Sequence, residues 1–134
     1  MKKIIIFVLI IIITFLIGCN SKNIDYEFYI KNIDNGVLTY TNGEDFFHKI
    51  FSTYKITNFG YSKSPNAILK VNIYHNDMVI YQEINEIKQL NNNESITIKI
   101  SFNYDNHQNN NQYMAKAEIL VEFNQILYIE NIIN

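Results

Sequence analysis

Between Ser95 and Asp105 apolar and polar residues alternate without a fault, with Ile96, Ile98, Ile100, Phe102 and Tyr104 set against Thr97, Lys99, Ser101 and Asn103. Successive side chains of an extended chain point to opposite faces, so this run predicts a strand with one buried and one wet side. A slip of one residue would expose all five apolar side chains, which fixes the register strongly. The same period recurs in Ala67, Leu69, Val71 and Ile73, opposite Ile68, Lys70, Asn72 and Tyr74, and predicts a central strand. Asn76-Asp77 then makes a tight connection to a strand over 78–84. Tyr113, Ala115, Ala117, Ile119, Val121 and Phe123 form the next inward face, and 126–133, apolar on both sides, closes the sheet.

The first half carries the same signal with more punctuation. Tyr26, Phe28 and Ile30 alternate with Glu27, Tyr29 and Lys31, and Asn35-Gly36 predicts a hairpin turn before a second strand at 37–41, because both residues accept positive φ. Asn42-Gly43 repeats that signal. Phe47, Ile50, Phe51 and Tyr54 then fall at helical spacing behind Glu44 and Asp45, so 44–49 is assigned a helical turn, with a strand left as the open alternative. From Phe51 the β-branched and aromatic residues favour a strand that stops at Gly60. Lys63-Ser64-Pro65-Asn66 breaks the pattern, Asn91-Asn92-Asn93 marks a polar connection, and 105–112 reads as a low-complexity loop. Seven or eight short strands with little helix predict an all-β, antiparallel sandwich.

The first nineteen residues obey a different rule. Lys2 and Lys3 form a positive n-region, 4–15 is an apolar run interrupted only by Thr14, and Leu16-Ile17-Gly18-Cys19 follows. The apolar stretch ends after about fourteen residues, short of the roughly twenty that a spanning helix needs. The segment resembles a bacterial lipoprotein signal, whose lipobox is an aliphatic residue, a spacer, Gly or Ala, and an invariant cysteine. That resemblance implies a signal helix at 1–18, cleavage before Cys19, a diacylglyceryl thioether on Cys19, a polar tether at 19–23 and a single domain at 24–134. Removing the signal leaves 134 − 18 = 116 residues, enough for one self-sufficient core and too few for a second domain. Cys19 is the only cysteine, so there is no disulfide framework and no thiolate metal site.

The centre of the chain resembles the CARDB-like domains of bacterial and archaeal surface proteins. The residues that carry this are Ile56-Thr57-Asn58-Phe59-Gly60, Pro65-Asn66-Ala67, Val71-Asn72-Ile73-Tyr74, and Leu90 with Glu94-Ser95-Ile96-Thr97-Ile98. They cover about residues 51–104 and match an Asn-x-Gly corner, a Pro/Ala strand opening and a leucine before a turn. The chain departs from the family pattern in having Asn76-Asp77-Met78 at a glycine turn and Asn92-Asn93 where Pro-Gly is common. The resemblance implies an immunoglobulin-like sandwich and transfers no catalytic residue.

Charge narrows the range of partners. Eleven lysines, no arginine and thirteen carboxylates become 9 − 13 = −4 once Lys2 and Lys3 are removed, which disfavours nucleic acid. His48, His75 and His107 lie far apart in sequence without a paired acid, and His75 beside Asn76-Asp77 is expected to be a solvated turn histidine. Asp105, Asn109 and Asn111 place oxygens at alternating positions, a weak calcium signal without the glycine and bidentate glutamate of an EF-hand loop. There is no Gly-x-Ser-x-Gly elbow and no phosphate loop, so no enzyme is expected and no cofactor beyond the lipid on Cys19.

Tyr29, Tyr74 and Tyr81 are assigned to outward faces as a candidate partner-binding patch, whereas Phe28, Phe102, Tyr104 and Phe123 are assigned to the core. Lys63, Lys70, Lys99 and Lys116 are expected to discourage edge pairing while leaving one edge for a partner. The function expected is a lipid-anchored, extracytoplasmic, non-catalytic interaction module at the cell envelope with a protein partner. Glycan or peptidoglycan binding is the alternative.

Overall fold

A computed structural model describes residues 25–42, 45–105 and 112–134. The signal segment, Cys19, the tether and the loop carrying His107, Asn109 and Asn111 lie outside the described residues, and with them the lipidation expectation and the weak calcium signal. Seven strands are present among the described residues and no helix: β1 (Phe28–Asn42), β2 (Asp45–Asn58), β3 (Ala67–His75), β4 (Met78–Ile87), β5 (Ser95–Asp105), β6 (Tyr113–Val121) and β7 (Asn124–Ile133). They form two antiparallel sheets, β1-β2-β5 and β4-β3-β6-β7, packed face to face as an immunoglobulin-like sandwich. β1 lies across from β7 and β4 across from β5.

The period-two pattern does what the sequence demands. Ile98 and Ile100 of β5 and Leu69, Val71 and Ile73 of β3 turn into one core with Ile50, Tyr54 and Ile56 of β2, while Thr97 and Lys99 of β5 and Lys55 of β2 face water. Each buried aliphatic side chain contributes about 1.5–3 kcal/mol of transfer free energy, so this shared face dominates stability. Tyr54 is fully buried yet keeps a polar partner, its hydroxyl donating to Asn131 Oδ1 at 3.1 Å across the sandwich.

Two local expectations fail. Asn35-Gly36 is not a turn, because β1 runs through it and pairs with β2 from end to end. The turn chemistry of this stretch is spent on a bulge instead: the register shifts between Asn32 and Asp34, and the Asn32 amide donates to Ser52 Oγ at 2.8 Å and to the Thr53 carbonyl at 3.2 Å. Gly36 has a packing reason, since a Cβ there would sit 2.9 Å from the ring of Phe51, its cross-strand partner. The helical turn at 44–49 is also absent over its described part, as 45–49 belongs to β2. Two flanking strands decide this, because a helix there would strip the ladder hydrogen bonds from both β1 and β5.

Candidate functional site

The sandwich has two poles, and each buries polar side chains. At the first, β2 ends on Asn58, which has no exposed surface. Its Oδ1 accepts from the backbone N–H of Glu27 at 3.1 Å and of Gly60 at 3.0 Å, and its Nδ2 donates to the carbonyls of Ser62 at 2.8 Å and Leu90 at 3.0 Å. One amide thus ties the arriving N-terminal segment, the β2–β3 corner and the β4–β5 connection together. Ser64 adds a reciprocal clamp, its N–H donating to the Leu90 carbonyl at 2.8 Å while its Oγ accepts from Leu90 N–H at 2.9 Å. Gly60 is obligatory, since a Cβ would overlap the Cα of Tyr26 and the carbonyl oxygen of Asp25. The Asn-x-Gly corner seen in the sequence is therefore a structural staple.

At the opposite pole the structure brings together histidines that the sequence keeps apart. His48 on β2 and His75 at the end of β3 are both buried, and both rings lie against Tyr113 of β6, at centroid distances of 6.5 and 5.1 Å. Tyr104 of β5 meets His75 edge-on at 5.9 Å and Tyr113 edge-on at 6.1 Å. His48 Nδ1 is 3.1 Å from Thr39 Oγ1, whereas His75 Nε2 is buried with no hydrogen-bond partner among the described residues. The expectation of a solvated turn histidine is corrected: His75 is 5% exposed. The signal was present, because His75 continues the inward series Leu69, Val71, Ile73. Among the described residues no group of three His, Cys, Asp or Glu side chains converges on a metal position. The described part of this pole is an aromatic box around imidazoles.

The three candidate tyrosines do not share a surface. Tyr29 is half-exposed on the outer face of the β1-β2-β5 sheet and touches Phe59 at 5.7 Å. Tyr74 lies on the outer face of the other sheet, beside buried Ile73 and His75. Tyr81 points inward, contrary to expectation, and stacks on Phe102 at 4.1 Å with the rings 5° from parallel, closing the gap between β4 and β5. Its hydroxyl donates to Glu83 Oε2 at 2.7 Å, and that carboxylate, aided by burial, raises the phenol above its ordinary value. A bulge between Ile73 and Tyr74 shifts the β3–β4 register and hides this orientation from a simple alternation count.

The sheet edges differ in their protection. Of the lysines assigned to edge defence, Lys70 and Lys116 sit on the central strands β3 and β6, both within 3.8 Å of Glu118. Lys99 is on the edge strand β5, and the other edge of that sheet, β1, carries Lys31 and the Asn32/Asp34 bulge. The edges of the larger sheet, β4 and β7, contain no lysine and no proline. They expose Met78, Val79 and Ile84 on β4, and Ile126, Tyr128 and Ile132 on β7.

No family model and no curated protein matches this sequence. Solved structures do match its fold. The chain is similar to part of a β-galactosidase from Bacteroides fragilis, with TM-score 0.58 and 12% identity over 73% of this chain and 15% of that one. It is similar to part of a glycosyl hydrolase family 2 member from Bacteroides cellulosilyticus, with TM-score 0.57 and 16% identity over 77% of this chain and 15% of that one. It is also similar to a CARDB domain from Pyrococcus furiosus, with TM-score 0.43 and 17% identity over 81% of this chain and 92% of that one. The chain thus spans about 15% of the length of the two enzymes it resembles. The fold is an all-β, antiparallel immunoglobulin-like sandwich, shared with a part of each of those two enzymes.

Proposed function

We propose that this chain is a lipid-anchored, extracytoplasmic, non-catalytic interaction module of the cell envelope, held by a diacylglyceryl group on Cys19 and engaging a protein partner through the β7 edge. The observation that carries the partner reading is the contrast between edges: both edges of the smaller sheet bear a lysine, whereas β7 presents unpaired backbone beside exposed Ile126, Tyr128 and Ile132. An edge of that kind accepts an added strand, because main-chain hydrogen bonds supply affinity and alternate side chains supply selectivity. Leu16-Ile17-Gly18-Cys19 supports the anchor, and an acidic mature chain without arginine supports a protein rather than a nucleic-acid partner. Lipid chains gain roughly 0.8 kcal/mol for each buried methylene, so several of them hold a domain of this size stably to a bilayer.

The test is cross-linking in intact cells with the native anchor in place. One envelope protein should be enriched, and it should vanish both with Cys19→Ala and with Ile132→Lys, which puts a charge on the β7 edge. Capture that is indifferent to Ile132→Lys would remove β7 from the proposal. Capture of no protein, together with saturable retention on purified wall material, would replace the reading with glycan binding.

A further inference from the structure

Two tight turns in this sandwich adopt the same left-handed backbone with very different residues. The β3–β4 turn, at the His75 pole, is built from Asn76 at φ 49° and Asp77 at φ 61°. Both tolerate that conformation because their short polar side chains bond locally. The β6–β7 turn, at the Asn58 pole, is built from Glu122 at φ 49° and Phe123 at φ 65°. A bulky residue at positive φ is strained, and Phe123 recovers nothing within the domain, since it is 89% exposed and outside the core. The expected inward placement of Phe123 fails because the chain reverses at 122–123, one step before the alternation would have turned it in.

Phe123 does not stand alone. It borders a groove of about 720 Å³ whose lining includes Ile68 and Leu120 as an apolar floor and Lys63, Lys88, Glu86 and Glu122 around the rim. Tyr61, 94% exposed, and half-exposed Phe59 extend the apolar surface of the same pole. This is also where the chain arrives from its N-terminus, as the Asp25 carbonyl accepts from Ser62 N–H at 3.0 Å and the Glu27 carbonyl from Phe59 N–H at 2.8 Å. Five residues separate Cys19 from Asp25, so the pole lies within about 20 Å of whatever holds Cys19.

We infer that the Asn58 pole docks on the bilayer that carries the anchor, with Phe123 as a wedge in the headgroup layer and exposed Tyr61 at the same pole. This rests on the lipid-anchor reading of Cys19. The lipid class follows from charge. The groove residues named carry two lysines and two glutamates, and Asp25, Glu27 and Glu94 leave the pole acidic. Attraction to anionic lipid is therefore not the source of affinity, and a zwitterionic surface with apolar insertion fits. The same geometry points the His75 pole and the free length of β7 away from the membrane.

The chain contains no tryptophan, so Phe123→Trp makes a single fluorophore at the wedge, and Met78→Trp makes one at the far pole. Each full-length lipidated variant is reconstituted into phosphatidylcholine vesicles whose acyl chains are brominated near the headgroup. The indole of Phe123→Trp should shift to the blue and be quenched at least roughly twofold, as expected for a side chain seated about 5–10 Å below the surface, while the emission of Met78→Trp stays unchanged. Flotation with the vesicles and no quenching in either variant overturns the docking and leaves the anchor reading intact. Failure to float overturns both. Emission of Phe123→Trp that is already blue-shifted in detergent-free buffer without vesicles would show the groove filled by the chain's own N-terminal segment, and would overturn membrane docking.

Discussion

The two poles bury comparable polar groups and treat them in opposite ways. At the Asn58 pole the amide oxygen and nitrogen are both engaged, and Ser64 and Leu90 exchange hydrogen bonds in both directions. At the His75 pole an imidazole nitrogen is buried against tyrosine rings with no hydrogen-bond partner among the described residues. A satisfied buried amide locks three chain segments, whereas an unsatisfied donor or acceptor costs about 1–3 kcal/mol. The first pole is therefore built for rigidity where the chain arrives, and the second carries a standing energetic penalty at the far end.

The largest test of this contrast is Asn58→Ala. It would strand the N–H groups of Glu27 and Gly60 and the carbonyl of Ser62 at once, leaving the Leu90 carbonyl to Ser64 N–H alone, so a loss of about 3–5 kcal/mol is expected in urea unfolding. A loss below about 1 kcal/mol would mean that water replaces the amide and that the pole is not a lock. Gly60→Ala should follow closely, at about 2–4 kcal/mol, because its new methyl meets backbone rather than a yielding side chain. Limited proteolysis should then cut between Asp25 and Phe28 in this variant and spare the wild type.

That lock is half legible in the sequence. Asn58 and Gly60 stand out as a corner at the end of a strand, but nothing local says that the amide reaches Leu90, which is distant in sequence. The strands are legible wherever one face is wet, as in β3 and β5, because burial imposes the period directly. Local reading fails where a bulge intervenes: Asn35-Gly36 loses its turn to the bulge at Asn32, and Tyr81 loses its outward face to the one at Ile73. The helical spacing of Phe47, Ile50, Phe51 and Tyr54 misleads because β2 places Ile50 and Tyr54 in the core and the two phenylalanines on the outer face. The histidine box needs tertiary structure, since His48 and His75 belong to different sheets and both lie against Tyr113.

Tyr54 lies between the poles and tests the sandwich centre. Replacing it with Phe removes the bond to Asn131, whose Nδ2 has no partner among the described residues, and should cost about 2 kcal/mol at neutral pH. Burial raises the Tyr54 phenol above its ordinary value near 10, with a smaller opposing effect from Ser52. The unfolded chain then releases this proton first as pH rises. Stability from Tyr54 is complete below about pH 10 and declines above it, and Tyr54→Phe should flatten that alkaline decline in denaturation midpoints. An unchanged alkaline slope would assign it to the other tyrosines, Tyr81 first, whose hydroxyl is bonded to Glu83.

At the far pole the sign should reverse. His75→Phe keeps a ring between Tyr104 and Tyr113 while deleting the orphaned nitrogen, so a gain of up to about 1 kcal/mol is expected where Asn58→Ala loses several. A clear loss would show that the imidazole bonds to something in solution, and the pole would then be a polar site rather than a sealed box.

The smallest expected effect separates the two left-handed turns. Phe123→Asn gives the β6–β7 turn a residue of the kind that the β3–β4 turn already uses, and relief of strain at φ 65° should raise stability by about 0.5–1 kcal/mol. Asp77→Phe, the converse change, should lower it by a similar amount. If both hold, Phe123 is a residue that the isolated domain would be better without. Its presence against a measurable folding cost then calls for something outside the domain, which the docking proposed for this pole would supply.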